Sequence, residues 1–138
     1  MMQAQLSKID DNNMQECIAL SVTEEQAQYI CPNQDSLKDA SDNPAVARPF
    51  AIYVDNRMVG FTMFAFDEDY EDPNDRYWLW RFMIDQDLQG RGYGRAALKA
   101  IIDYLRSKGL AISNYLRRRV TVKRFPYTIS LVSAKMAR

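Results

Sequence analysis

The feature that most constrains the fold of this chain is the glycine-rich segment at residues 89–94, which reads QGRGYG. A short apolar run at residues 78–84 leads into it, and the sequence predicts an amphipathic helix directly after it. Glycines at such a junction let the backbone approach a bulky group, because no Cβ stands in the way. The free N–H groups at the start of the helix then favour negative charge. The segment therefore predicts a cradle for a pyrophosphate, with a glycine-rich turn that only caps the helix as the alternative.

Other phosphate-binding motifs fit this segment less well. The G-x-G-x-x-G fingerprint would need a glycine at position 95, where the chain has Arg95, and it would lie in an opening βαβ unit. A P-loop would end in Gly-Lys-Ser/Thr, which is missing here. The predicted helix has apolar residues at the spacing i, i+3, i+4 and i+7 and a glycine as its stop signal. These residues are Leu98, Ile101, Ile102, Leu105 and Gly109.

Composition excludes several classes of protein. A chain of 138 residues with 47% hydrophobic residues suits one globular domain with a real core. No apolar run approaches the ~20 residues of a membrane span, and we expect neither a signal peptide nor a membrane partner. Cys17 and Cys31 are too few for a disulfide framework, so we interpret both as reduced thiols of a cytoplasmic protein. The absence of histidine excludes Ser-His-Asp chemistry and most zinc sites, and we expect no metal.

Caps, turns and periodicity over the first 109 residues predict the order β-α-α-β-β-β-α. The predicted strands are 3–9, 50–54, 58–66 and 77–84. The predicted helices run from 14 to 20, from the capping box at 23–26 to about 30, and from the glycine segment to Gly109. Residues 33–48 are interpreted as a loop with one turn of helix at 36–40.

Two features of the strands carry further predictions. Gly60, inside the third strand, indicates a bulge or a close backbone approach. Alternation along 77–84 predicts one face with Trp78, Trp80 and Phe82 and the opposite face with Leu79, Arg81 and Met83.

This order of elements, with Gln89, Gly92 and Gly94 as Q/R-x-x-G-x-G/A, resembles the GCN5-related N-acetyltransferase (GNAT) superfamily over residues 3–109. Segments 20–30, 59–61, 67–75 and 78–85 are similar to bacterial spermine/spermidine acetyltransferases. The resemblance implies an α+β fold, a mixed and mainly antiparallel sheet flanked by helices, with a C-terminal third that is atypical or incomplete.

The resemblance also implies the site. Acetyl-CoA, the co-substrate, would lie with its pantetheine along Phe82, Met83 and Ile84, and its pyrophosphate on the segment Gln89, Gly90, Arg91, Gly92, Tyr93, Gly94 and Arg95. Glu24 or Glu25 would take up the amine proton through water, with an ordinary capping carboxylate as the alternative for each. The acidic stretch at 67–75, together with Tyr29, Tyr70 and Trp80, would suit a polycation, although a solvated loop explains these acids equally well.

Three functions stay open at this point. The first is an N-acetyltransferase for a polyamine such as spermidine or spermine, impaired in this chain. The second is a non-catalytic acyl-CoA-binding module, and the third is an acetyltransferase for another amine, such as a protein N-terminus or an aminoglycoside. The expected partner is a small-molecule amine rather than nucleic acid, and a homodimer is left open.

The last 28 residues differ from the rest. Residues 1–110 hold 11 Lys/Arg against 18 Asp/Glu, a balance of −7, whereas residues 111–138 hold 7 Lys/Arg and no acid. Family members continue here with N-x-x-A-x-x-L-Y-x-x-x-G-F, whose tyrosine would protonate the leaving thiolate, and residues 110–138 contain no such block. The chain is therefore divided into a core at 1–110 and an aberrant basic tail at 111–138.

The genetic code offers a test of this tail. In a shifted reading frame, each codon takes the third base of one residue and the first two bases of the next. Such codons permit Asn, Ala, Leu, Tyr, Gly and Phe, in this order and at the spacing of the family block. The residue pairs are 120–121, 123–124, 126–127, 127–128, 131–132 and 132–133. We infer a slip of one or two nucleotides near codons 109–113. The alternative is a genuine basic arm that binds nucleic acid.

Overall fold

The structure is a computed structural model that describes residues 2–28, 30–72 and 76–109. Its strands are β1 (Ala4–Lys8), β2 (Ala47–Val54), β3 (Arg57–Phe66) and β4 (Tyr77–Ile84), and its α-helices are α1 (Met14–Ala19), α2 (Asn33–Asp42) and α3 (Tyr93–Ser107). Two short 3-10 helices, Gln26–Gln28 and Gln86–Leu88, precede α2 and α3. The predicted basic tail lies outside the described residues. In those ranges no helix is both long and apolar enough to cross a membrane.

The four strands form one antiparallel sheet in the order β1-β2-β3-β4. The predicted hairpin joins β2 to β3 through Asp55 and Asn56, which have φ angles of 52° and 65°. Asp and Asn tolerate this left-handed conformation better than most residues, and a two-residue turn of this kind matches the twist of the strands. The α+β fold is confirmed over the described residues, and so are the four strands, the first helix and the last; the second predicted helix is a 3-10 turn, and α2 is a helix that the sequence did not predict.

The sheet separates two apolar layers. On one face α3 covers the sheet with Leu98, Ile101 and Leu105, which are buried against residues such as Phe64 and Phe82. On the other face lie α1 and α2, over a second cluster whose buried members are Cys17, Ile30, Ala47, Ala51, Met58, Phe61, Met63 and Met83. The apolar spacing predicted for α3 is therefore confirmed, and Gly109 ends the helix with a φ angle of 84°.

A bulge in β4 overturns one prediction about its faces. Arg81 pairs with Met63 and Leu79 pairs with Phe64, so Trp80 is the extra residue between two consecutive pairs. An extra residue reverses the alternation of side chains along a strand. Trp80 therefore packs with the α1/α2 cluster, whereas Phe82 packs with the α3 cluster. The prediction that these two rings share a face is wrong.

The loop predicted at 33–48 is also wrong, because residues 33–42 form α2 and β2 begins at Ala47. Leu37 and Ala40 of this helix pack against the α1/α2 cluster, and polar tertiary contacts add to them. The buried Asn33 Nδ2 donates to the Cys17 carbonyl oxygen at 2.8 Å. Arg81 donates to Ser36 Oγ at 3.1 Å and to Asp39 Oδ2 at 3.3 Å. Polar side chains that bond across the fold give no helical hydrophobic pattern in the sequence.

Candidate functional site

The candidate site begins where β4 turns into α3. The N–H of Asp85 donates to the Val59 carbonyl oxygen at 2.8 Å, which holds the end of β4 against β3. After one 3-10 turn the backbone passes through Gly90 and Gly92, with φ angles of 80° and 88°. Residues with a Cβ rarely adopt such angles, so both glycines are needed for the shape of the turn. A Cβ at either position would meet no atom within 4 Å, so the space above the turn is open.

The start of α3 is electropositive. The Ala96 N–H is the first to donate to a helical carbonyl, that of Gly92, at 3.2 Å. The N–H groups of residues 93–95 therefore have no acceptor within the helix and point out of its N-terminus. The first turn carries no acid, and both Arg91 and Arg95 are exposed. Amide dipoles and two cations together favour an anion at this end of the helix.

The edge of β4 adjoins this turn. Within the described ranges β4 pairs only with β3, so the backbone of Phe82, Met83 and Ile84 has one edge without a strand partner. Gly60 of β3 lies behind this edge. A Cβ on Gly60 would overlap the Met83 carbonyl oxygen and lie 2.9 Å from Ile84 Cδ1. The pairing also skips Val59 between Met58 and Gly60, so the close backbone approach and the bulge predicted around Gly60 are both confirmed.

The segment after α1 is attached to the same turn. The Ser21 N–H donates to Asp85 Oδ1 at 2.9 Å, and the Gln86 N–H donates to the Ser21 carbonyl oxygen at 2.7 Å. The Gln86 side chain adds a third bond, from Nε2 to Ser21 Oγ at 2.8 Å. Three hydrogen bonds thus fix Ser21 beside the end of β4.

The predicted capping box is present and reaches the turn as well. The Gln26 N–H donates to Thr23 Oγ1 at 3.2 Å, and the Thr23 N–H donates to Gln26 Oε1 at 3.3 Å. The helix that it opens is a single 3-10 turn, shorter than predicted. Gln26 also exchanges two hydrogen bonds with Gln89, at 2.8 and 2.9 Å, and Gln89 Nε2 donates to the Ile84 carbonyl oxygen at 2.8 Å.

Glu24 and Glu25 lie in the exposed turn between these two attachments. Among the described residues neither carboxylate forms an ion pair. The side-chain cap of this turn is made by Thr23 and Gln26. The role of Glu24 and Glu25 as proton acceptors stays a prediction.

Of the predicted substrate residues, the structure describes Tyr70 and Trp80. Tyr70, 42% exposed, packs edge-on against Trp78 at a ring distance of 5.0 Å. Trp80 is half-buried and has the guanidinium of Arg81 5.2 Å from its ring centroid. Tyr29 lies outside the described residues, as do residues 73–75 of the acidic stretch. Among the residues that are described, no group of three or more acids or cysteines could hold a metal ion.

Sequence reasoning missed the attachments of Ser21, Asp85 and Gln26 to the turn. Ser21 and Asp85 are 64 residues apart, and Gln26 and Gln89 are 63 apart. The capping-box spacing identified Gln26 as a local cap but gave no signal of its second set of partners. Only the paired positions of both segments in an alignment could have indicated the contact.

The fold and the electropositive turn agree with the acetyltransferase superfamily that the sequence resembles, and a family model confirms that resemblance. The family model described as Acetyltransferase (GNAT) family matches residues 14–123, so the chain belongs to this family. By family it is an acetyl-CoA-dependent N-acetyltransferase. The match ends within the predicted tail, and the predicted division at 110–111 stays a prediction.

Among individual relatives, the chain is 33% identical over 106 residues to the spermine/spermidine N(1)-acetyltransferase of Bacillus subtilis (strain 168), covering 75% of this chain and 69% of that protein. Among solved structures, a ribosomal-protein-alanine N-acetyltransferase of Brucella melitensis biovar Abortus 2308 has a TM-score of 0.53 at 18% identity, over 80% of this chain and 76% of that one. The structure of AAC(6')-Iy with a CoA-containing bisubstrate analogue has a TM-score of 0.51 at 16% identity, also over 80% and 76%. At such identities these structures support the fold.

Proposed function

We propose that this chain binds acetyl-CoA at the turn between β4 and α3 and is built to transfer the acetyl group to a primary amine of a polyamine such as spermidine or spermine. The observation that carries the proposal is the junction of a strand edge, a left-handed glycine turn and an uncapped helix N-terminus. Family membership supports the same reaction.

The cofactor would lie along two surfaces that meet at the turn. The edge of residues 82–84, which has no strand partner among the described residues, offers backbone groups to the amide-containing pantetheine, as a neighbouring strand would, except for the Ile84 carbonyl oxygen, which accepts from Gln89. The N–H groups of residues 90–95 face the pyrophosphate, and Arg91 and Arg95 add charge at the rim. The open space above Gly90 and Gly92 supports this arrangement, because no protein atom of the described residues occupies it within 4 Å of a Cβ at either position.

Charge supports a polyamine as the acceptor. The balance of −7 over residues 1–110 attracts polycations, and the acids at 67–72 provide a local concentration of negative charge. The exposed ring of Tyr70 adds a surface for cation–π contact. The 33% identity to a spermine/spermidine acetyltransferase supports the same class of acceptor.

Transfer requires a neutral amine beside the thioester and a proton for the departing thiolate. Glu24 and Glu25 are solvent-exposed on the segment that Ser21 and Gln26 attach to the turn, so they are available to take up the amine proton through water. The tyrosine that the family uses as proton donor has no counterpart in the sequence of residues 110–138. We therefore expect turnover in this chain to be slow even where acetyl-CoA binds well.

A matched pair of glycines tests cofactor binding. Gly92 and Gly109 both have left-handed φ angles, and a Cβ at either meets nothing within 4 Å. Gly92→Leu and Gly109→Leu should therefore have similar costs in stability, but only Gly92→Leu should abolish the heat of acetyl-CoA binding in titration calorimetry. Equal affinity in the two variants would refute the proposed cofactor position.

An acceptor screen tests the substrate. Thiol release with spermidine and spermine should exceed that with uncharged monoamines, and the difference should shrink with added salt because exposed charges are screened. The rates of thiol release by Glu24→Gln and by Glu25→Gln should each be compared with the rate of the unmutated chain. Gln28→Glu, on the same exposed segment, is the control. Equal rates with all amines would contradict a polyamine acceptor.

A non-catalytic acyl-CoA-binding module is the second candidate, favoured by the missing family tyrosine. It predicts acetyl-CoA binding without thiol release for every amine tested, including in a chain whose tail has been restored to the family's reading frame.

A further inference from the structure

The two glutamines that join the capping box to the turn have a defined orientation. An amide side chain has a donor end and an acceptor end, and its partners determine which is which. Gln26 Oε1 accepts from the Thr23 N–H, and Gln89 Nε2 donates to the Ile84 carbonyl oxygen. A backbone N–H only donates and a carbonyl oxygen only accepts. The Thr23 N–H therefore determines which end of the Gln26 amide is the oxygen, and the Ile84 carbonyl determines which end of the Gln89 amide is the nitrogen.

This orientation makes the two central hydrogen bonds complementary. Gln89 Nε2 donates to Gln26 Oε1 at 2.8 Å, and Gln26 Nε2 donates to Gln89 Oε1 at 2.9 Å. Gln26 is 6% exposed, so water does not readily replace a lost partner. The pair therefore forms one continuous polar connection from the backbone of Thr23 to the backbone of Ile84, the last residue of β4.

We propose that Gln26 is a positioning residue, which orients Gln89 and thereby fixes the end of β4 and the start of the glycine turn in the geometry that binds acetyl-CoA. The inference rests on the proposed cofactor position. Gln26 itself belongs to the segment that carries Glu24 and Glu25. The same amide pair therefore also fixes the segment of Glu24 and Glu25 relative to the backbone proposed to bind the cofactor.

The substitution Gln26→Glu converts this connection into a titratable one. A carboxylate keeps the acceptor for the Thr23 N–H and for Gln89 Nε2, but it sets a charged oxygen against Gln89 Oε1. Burial and this opposed oxygen favour the protonated form and raise the pKa of the new carboxyl, against the two retained donors, which favour the charged form. Once protonated, its O–H donates to Gln89 Oε1, and the pair is restored.

The measurement is the acetyl-CoA dissociation constant of Gln26→Glu relative to the unmutated chain, by calorimetry between pH 8 and pH 5. We expect the ratio to be about tenfold at pH 8, the effect of one lost hydrogen bond, and to fall towards one as the pH falls. Gln28→Glu is the matched control, since it makes the same change on the same 3-10 turn at an exposed side chain. The ratio of dissociation constants for Gln28→Glu should stay near one from pH 8 to pH 5. Both variants and the unmutated chain retain Glu24, Glu25 and Asp85, so any effect of these acids on binding cancels in the ratio.

A second comparison uses no charge. Gln26→Met and Gln89→Met should each weaken acetyl-CoA binding, and the double variant should bind about as weakly as Gln89→Met alone, because both act through one connection. A role in stability alone predicts that the variants melt earlier but bind acetyl-CoA with unchanged dissociation constants. It also predicts that the ratio of dissociation constants for Gln26→Glu does not change with pH. Unchanged dissociation constants or a pH-independent ratio would each overturn the inference while leaving the cofactor site intact. No binding of acetyl-CoA by the unmutated chain would overturn the proposed function and this inference together.

Discussion

Replacing Gly60 with alanine should damage the candidate site from behind, because the new side chain pushes on Met83 and Ile84 from β3 and not from the cofactor side. The new Cβ would overlap the carbonyl oxygen of Met83 and lie 2.9 Å from Ile84 Cδ1 and 3.3 Å from Ile84 Cα. The side chain of Ile84 can rotate, but the Met83 carbonyl belongs to the backbone of β4. The end of β4 must therefore move away from β3.

The size of the effect follows from these contacts. Overpacking costs about 1–3 kcal/mol, and the reduced freedom of the unfolded chain on Gly→Ala offsets about 0.4–1 kcal/mol of it. A net loss of about 1–2 kcal/mol lowers the melting temperature of a domain of this size by roughly 3–8 °C. Displacing the strand edge by ~1 Å should also weaken acetyl-CoA binding at least tenfold, since positioning errors of that size are costly.

Scanning calorimetry and acetyl-CoA titration measure the two effects on the same sample. Gly109→Ala is the control, because its cost is only the strain of a left-handed φ angle, about 1 kcal/mol, and its Cβ meets nothing within 4 Å. We expect it to melt slightly earlier and to bind acetyl-CoA normally. If Gly60→Ala melts at the original temperature and binds acetyl-CoA with unchanged affinity, the reasoning from the strand contact is refuted.

Three further predictions concern other parts of the chain. Iodoacetamide at pH 8 should label the native protein at Cys31 and not at Cys17, because burial raises the pKa of the Cys17 thiol to about 12; mass spectrometry showing a label at Cys17 before unfolding would contradict its packing. Arg81→Met should lower the free energy of unfolding in urea by about 1–3 kcal/mol, because it also leaves Ser36 and other polar partners unpaired, and Asp39→Asn by less than about 1 kcal/mol, because that carboxylate is about half exposed; equal losses would show that the ion pair, and not the other partners of Arg81, carries the effect. Sequencing the gene at codons 109–114 should show a slip of one or two nucleotides, and the restored chain should gain stability and roughly 10²–10⁴ in turnover from a positioned acid; equal melting temperature and turnover in both chains would make the basic tail a working part of the protein.

Local patterns were sufficient to predict most of the described fold. β4 was predicted with its observed bounds, and the hairpin, the glycine turn and α3 were identified because their signals lie within a few residues of one another. The prediction failed where distant contacts decide the conformation. α2 depends on Asn33, Ser36 and Asp39, which bond to residues of α1 and β4, and the bulge at Trp80 depends on the pairing with β3.

The candidate site divides in the same way. The turn at 89–94 was recognised from glycines and from its position between a strand and a helix, and its φ angles explain why glycine is needed there. The connection from Thr23 to Ile84 was not recognised, because each glutamine taken alone is an ordinary polar residue. Polar pairs formed across more than 60 residues have no periodicity and no fixed spacing, so a single sequence contains no signal for them.

The order of these parts along the chain makes cofactor binding separable from turnover. Every residue proposed to hold acetyl-CoA lies before position 96, whereas the tyrosine that the resemblance implies as proton donor would follow Gly109, in the predicted aberrant tail. A slip in the reading frame after Gly109 would therefore remove the proton donor and leave the cofactor turn unchanged. Restoring the frame should raise turnover while the dissociation constant of acetyl-CoA changes little if the chain derives from an enzyme. A binding module would gain no turnover from the same restoration, because its lack of catalysis would not depend on that tyrosine.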